Sequence, residues 1–183
     1  MTEIADRVYR SLLVLRCQAG DRAAFEELVA SYQQRLRYFL RKMLRDTQSA
    51  DDLLQDVWIA VFRGVGRLAD PAAFPAWLYQ VARRQVCRAL RKRRQPHYPL
   101  EEIDLAEDDR EEDFSAEDAE RVHAALEQIA PEHREVLLLR FMEEMPYEDI
   151  ARVIGCQVGT VRSRLHYAKH ALRRVIERTV PHE

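Results

Sequence analysis

Apolar residues recur at helical spacing along most of this chain, and period-two alternation is scarce. A short first helix is expected to end near Gly20, with Asp21 capping a second that carries Ala23, Ala24, Phe25, Leu28, Val29 and Tyr32, then Leu36, Phe39, Leu40 and Met43. Thr47–Ala50 reads as a turn, with Ser49 placed to cap a third helix from Ala50. The stripe of that helix is Leu53, Leu54, Val57, Trp58, Val61 and Phe62. Gly64, Gly66 and Pro71 mark a loop. Phe74 to Arg94 then predicts a helix with Trp77, Leu78, Val81, Ala82, Val86 and Leu90 inward. After an interruption, Val122, Ala125, Leu126 and Ile129 form another stripe. Pro131 opens a helix through Val136, Leu137, Leu138 and Phe141, and Pro146 opens a further pair. The expected class is all-α: two small helical domains, residues 1–94 and 118–183, joined by an acidic flexible linker at 95–117.

The last pair of helices is the most specific signal. In Tyr147–Lys169, Ile150, Ala151, Ile154, Val158, Val161 and Leu165 share one side, and Gly155 stops the first helix at a three-residue turn. The second helix then offers Thr160, Arg162, Ser163, Arg164, His166 and Lys169 outward. Short polar residues and arginines at the start of a helix suit base edges and phosphates in a major groove. Arg162 and Arg164 diverge by about 200°, so one faces bases and the other a flank or phosphate. Arg162 shares its face with His166 and Lys169, and that face is the expected reader. Tyr147 and Glu148 stand ready for backbone or a base edge. A plain helical hairpin would explain the apolar stripe but not this exposed polar face.

Composition adds a qualification. The 183 residues carry a net charge of only −2, which by itself argues against a nucleic-acid binder, but the average misleads because the charges are segregated. Bases dominate from Arg35 to Arg94, acids from Glu101 to Glu120, and bases again from Thr160 on. The Phe74–Arg94 helix combines aromatics with Arg83, Arg84, Arg88, Arg91 and three further bases and has no acid. Aromatics stack on unpaired bases and arginines hold phosphates. The bland reading of Trp77 and Tyr79 as core residues stays open at this point. In ADDLLQDVW, Asp51, Asp52, Gln55 and Asp56 border an apolar stripe. Helix-terminal charge accounts for Asp51 and Asp52 but not for Gln55 and Asp56, so that face is expected to meet a protein.

Cys17, Cys87 and Cys156 are scattered and predict reduced thiols rather than a disulfide or zinc framework. No signal peptide or membrane span is legible, so the expected location is cytoplasmic, with no membrane insertion. No phosphate loop or nucleophile elbow occurs. His97, His123, His133, His166, His170 and His182 do not pair with acids at ligand spacing, so neither an enzyme nor a metal or cofactor site is expected.

Two helical modules around an acidic linker, with ADDLLQDVW, FPAWLYQVAR and VGTVRSRLHYAK in that order, resemble the extracytoplasmic-function (ECF) sigma factors over roughly residues 17–178. The resemblance implies a region 2 domain that binds and helps open the −10 element, and a region 4 domain that reads the −35 element. It implies that Trp77, Tyr79, Arg83, Arg84, Arg88 and Arg91 face the melting strand. Asp52, Gln55 and Asp56 would dock the β′ coiled coil of core RNA polymerase, and an apolar surface around Leu126, Ile129 and Leu137 would cradle the β flap. An anti-sigma factor is the implied regulator. Arg84 stands where many members carry Asn in WLYxxAxN, which implies a phosphate contact in place of base reading. Neutralising Glu107–Asp113 in the linker is expected to raise the affinity of the free protein for DNA. A stand-alone helix-turn-helix regulator would account for residues 118–178 alone, and a polymerase-binding decoy would differ only in its lack of promoter activity.

Overall fold

The structure, a computed structural model, describes the backbone of residues 2–92 and 119–179 and the side chains of 4–92 and 121–178. Among these residues all regular structure is helical. The chain divides into two compact units, Met1–Gln95 and Pro96–Glu183. The linker acids and the Arg93–Arg94 end of the basic helix lie outside the described residues.

The first unit holds α1 (Thr2–Gln18), α2 (Arg22–Leu44), α3 (Thr47–Gly64) and α4 (Phe74–Lys92). Asp21 caps α2 by accepting from the Ala24 amide at 3.1 Å. That N–H, and then Arg16, hold the Asp21 carboxyl below its ordinary range. Arg45, at φ 57°, ends α2 in the left-handed region. With the reversal complete at one residue, helix resumes at Thr47, so Thr47–Ala50 is the first turn of α3 and not a separate turn. Ser49 donates to Asp46 instead of capping. Leu28, Leu36, Phe39, Leu40, Val57, Val61, Phe74, Leu78 and Tyr79 form the core. Edge-to-face pairs lock it, with Tyr32–Phe74 at 5.6 Å and Phe39–Tyr79 at 5.2 Å between centroids. Gln18 ties α1 to the α3–α4 connection, donating to the carbonyls of Val65 and Leu68 at 3.0 and 2.8 Å.

The second unit holds α5 (Ala119–Leu126), α6 (Pro131–Leu137), α7 (Tyr147–Ile154) and α8 (Val158–Thr179). α6 runs on into a π-turn, Leu138–Met142. The extra residue in that turn breaks the 3.6 register. Phe141, expected inward, is therefore rotated out and 48% exposed, with Met142 beside it. Arg134 sits at the centre of the unit with no exposed surface. Its guanidinium donates to the carbonyls of Leu126, Glu127 and Ile129, the acceptors that the end of α5 leaves over.

Candidate nucleic-acid and partner interfaces

The helix-turn-helix forms as its spacing demands. α7 ends at Ile154, and Gly155 at φ 78° donates its N–H to the Ala151 carbonyl at 2.8 Å. A side chain at that φ would strain the backbone. α8 starts three residues later and buries Val161, Leu165, Ala168 and Leu172. The opposite side of the helix carries Arg162, Ser163, His166, His170 and Arg173, spaced to form one outward row. Thr160 and Lys169 flank that row, both half-buried. Arg164 turns away from it and its Nε is buried. It stands close enough to His133 to lower that imidazole's pKa, burial being the larger cause. The two arginines therefore separate as expected, with Arg162 solvent-facing and Arg164 at a flank. At the start of α7, Glu148 is exposed and Tyr147 lies under the Arg140 guanidinium, 5.3 Å from its ring centroid.

On α4, Trp77, Arg84, Arg88 and Arg91 fall on one side at i, i+7, i+11 and i+14. The three arginines are exposed and Trp77 is half-buried. Arg84 Nε donates to the Gln80 carbonyl at 3.2 Å, which lays the side chain along the helix surface. Arg83 lies off this row and is half-buried. Tyr79 requires correction. It has no exposed surface and packs edge-on against Phe39, so it is a core residue and offers no ring to a base. Helical phase decides this, because position 79 lies about 200° from position 77. The Trp77 indole depends on Gly64 at the end of α3, where a Cβ would stand 3.0 Å from its Cζ2 atom.

α3 presents Asp52, Gln55 and Asp56 to solvent. Asp51 does not belong to that row, because it pairs with Arg37 at 3.2 Å and Arg41 at 3.1 Å on α2. The row continues into Ile59 and Phe62, which are 48% and 65% exposed. These two apolar positions were missed in the sequence. Phe62 reads as part of the inward stripe, yet it stays largely exposed and meets Phe25 edge-on at 5.2 Å. The available signal was that Ile59 continues the phase of Asp52 and Gln55, and not that of Leu53 and Val57. Leu126, Ile129 and Leu137 also need correction. Each is 4% exposed, inside the core of the second unit, and they form no open cradle. Their spacing identified an apolar stripe correctly, but the unit consumes that stripe in its own packing.

Cys17, Cys87 and Cys156 are half-buried and none is in a disulfide, and desolvation pushes the Cys17 thiol up. No three His, Cys, Asp or Glu side chains gather as a metal site among the described residues. No helix there is long and apolar enough to cross a membrane.

A helical unit with separate acidic and basic faces, followed by a unit built on a helix-turn-helix, has the architecture of a transcription factor with two DNA-facing modules. Family models match both parts: Sigma-70 region 2 over residues 28–95 and Sigma-70 region 4 over 119–172. The chain is 33% identical to the RNA polymerase sigma-H factor of Pseudomonas aeruginosa, covering 90% of this chain and 92% of that one. It is 31% identical to the ECF RNA polymerase sigma-E factor of Haemophilus influenzae, over 95% and 98%. Among solved structures, CnrH in complex with the cytosolic domain of CnrY superposes with a TM-score of 0.70 at 24% identity, over 93% of this chain and 99% of that one. The sigma factor RpoE of Bartonella quintana, in complex with the anti-sigma factor NepR, gives 0.65 at 22% identity, over 85% and 98%. The chain belongs to the ECF RNA polymerase sigma factors. It is accordingly a transcription initiation factor that directs RNA polymerase to promoters, in a family that is not enzymatic.

Proposed function

We propose that the faces described above divide the work of initiation. The outward row of α8 (Arg162, Ser163 and His166, with Thr160, Arg164 and Lys169 at its flanks) enters the major groove of the −35 element. Tyr147 and Glu148 approach its edge. On α4, Trp77 with Arg84, Arg88 and Arg91 holds the −10 strand as it opens, and Arg83 serves at a flank. Unstacking a base costs a few kcal/mol, and one aromatic stack returns about 1–3 kcal/mol. Polymerase contacts must supply the remainder, so the free protein binds promoters weakly. Arg84 is exposed and lies along the helix, which supports a phosphate contact at the position where the family's Asn reads a base.

The observation that carries this reading is the segregation of charge within one small unit, acids on the exposed row of α3 and arginines on that of α4. Acids repel DNA, so α3 faces protein, and Asp52, Gln55 and Asp56 dock the β′ coiled coil, with Ile59 and Phe62 extending the contact. In the second unit, the exposed Phe141 and Met142 replace the buried Leu126, Ile129 and Leu137 as the apolar surface available to the β flap. The same exposed apolar side chains give an anti-sigma factor something to cover while the protein waits in the cytoplasm. The test is promoter-selective transcription with bacterial core RNA polymerase on a pool of genomic fragments. Transcripts that start behind a shared two-part element, and only when the protein is added, are expected. Tight duplex binding without polymerase association would replace the proposal with a stand-alone regulator.

A further inference from the structure

The outward row of α8 contains a second histidine that the sequence reading left unused. His166 and His170 are four residues apart near the middle of a 22-residue helix. Their rings are in contact, with centroids 4.6 Å apart and planes at 64°. Both reach solvent, His170 being exposed and His166 half-buried. Residues four apart on a helix stack on one face, and this is the spacing at which two imidazoles grip one metal ion in helical zinc sites. Metal–nitrogen bonds near 2.0–2.1 Å require the two donor nitrogens to stand about 3 Å apart. Rings already touching reach that separation by side-chain rotation alone, while the helix holds both Cα atoms in place.

We propose that His166 and His170 form a bidentate surface site for a first-row divalent transition ion. Imidazole suits copper, nickel and zinc, and the stability order favours Cu2+ over Ni2+ and Zn2+. No third protein ligand gathers there among the described residues, so water fills the remaining coordination positions. The ion binds the unprotonated ring nitrogen of each neutral imidazole in exchange for bound water, and no change of oxidation state is involved. Metal binding here stands independently of whether α8 reads DNA.

The test is calorimetric titration of the full chain with Cu2+ alone. His166→Ala and His170→Ala are each expected to weaken the tightest site by about tenfold or more, since even partners behind a ligand are worth that much. His170→Ala combined with Arg173→His keeps the number of histidines but breaks the spacing, and should be as weak as His170→Ala. His166→Ala combined with Arg174→His rebuilds the i, i+4 pair one turn on, at an exposed position, and should recover the affinity. In the wild type, Zn2+ should shift the ring proton signals of His166 and His170 together. Equal affinity in wild type and His170→Ala, or full affinity with the spacing broken, would overturn the site in favour of scattered surface binding.

Discussion

Arg134 carries more of the second unit's stability than its charge suggests. It is fully buried, and its planar fork satisfies three carbonyls around the end of α5 that no helix bond can reach. Arg134→Met keeps most of the volume and strips those acceptors of their donor. Each buried group left unpaired costs roughly 1–3 kcal/mol, so a loss of about 3 kcal/mol or more in urea unfolding of this unit is expected. Arg134→Lys should recover only part, because an ammonium is a point and not a fork. His133, the neighbour of Arg134 in sequence, sets a pH dependence. Burial first, then Arg164, pushes its pKa below the ordinary 6.5, against the pull of Glu132. The unfolded chain thus takes up a proton near pH 6.5 that the folded chain refuses. The contribution of His133 is complete above that pH and declines as pH falls through 6.5 toward the folded value. The difference in urea midpoint between wild type and His133→Gln, measured from pH 8 to 5, should narrow or reverse across that window. A constant difference would remove His133 as the cause.

At the scale of elements, the contact between the end of α3 and the start of α4 couples a glycine to the residue proposed to meet the opening strand. Gly64→Ala gains about 1 kcal/mol of helix propensity and sets a methyl 3.0 Å from the Trp77 ring. Trp77 is half-buried, so the indole can give way. Stability should change by less than about 1 kcal/mol while the indole moves. In a Trp58→Phe background, its fluorescence should shift, and open-complex formation should fall more than duplex binding. An unchanged spectrum with normal opening would separate Gly64 from Trp77. The same element scale explains what was legible beforehand. Long amphipathic stripes gave α2, α4 and α8, and Asp21 and Gly155 marked an α2 start and an α7 stop that the backbone confirms. Three things were hidden. Tyr79 and the Leu126–Ile129–Leu137 stripe look alike as surface or core until packing partners are known. The π-turn that rotates Phe141 outward carries no periodic signature, because it is a single break in period. Arg134 reads as one more surface base on a short helix, since nothing local reveals which carbonyls lack donors.

For the molecule as a whole, the separation of faces makes two losses of function independent. Asp52→Lys with Asp56→Lys places two cations where a protein partner is proposed to read acids. Both positions are exposed on α3, so folding should be preserved. Like-charge juxtaposition at an interface costs several kcal/mol, so affinity for core polymerase should drop by well over about tenfold. Arg162→Ala and Lys169→Ala act on the other unit. If Arg162 grips a base edge through both nitrogens, its loss should cost about 1–3 kcal/mol and relax preference at one position of the −35 element. Lys169, as a phosphate contact, should instead weaken all sequences alike and lower the salt slope by about 1. The informative experiment mixes the two variant proteins with one supply of polymerase and one promoter. A factor that still binds polymerase but has lost the −35 contact should compete with the wild type and suppress transcription. A factor carrying the reversed α3 charges should be unable to compete, however intact its α8. If the α3 variant competes as well as the wild type, the acidic row is not the docking face and the division of labour between α3 and α4 fails with it.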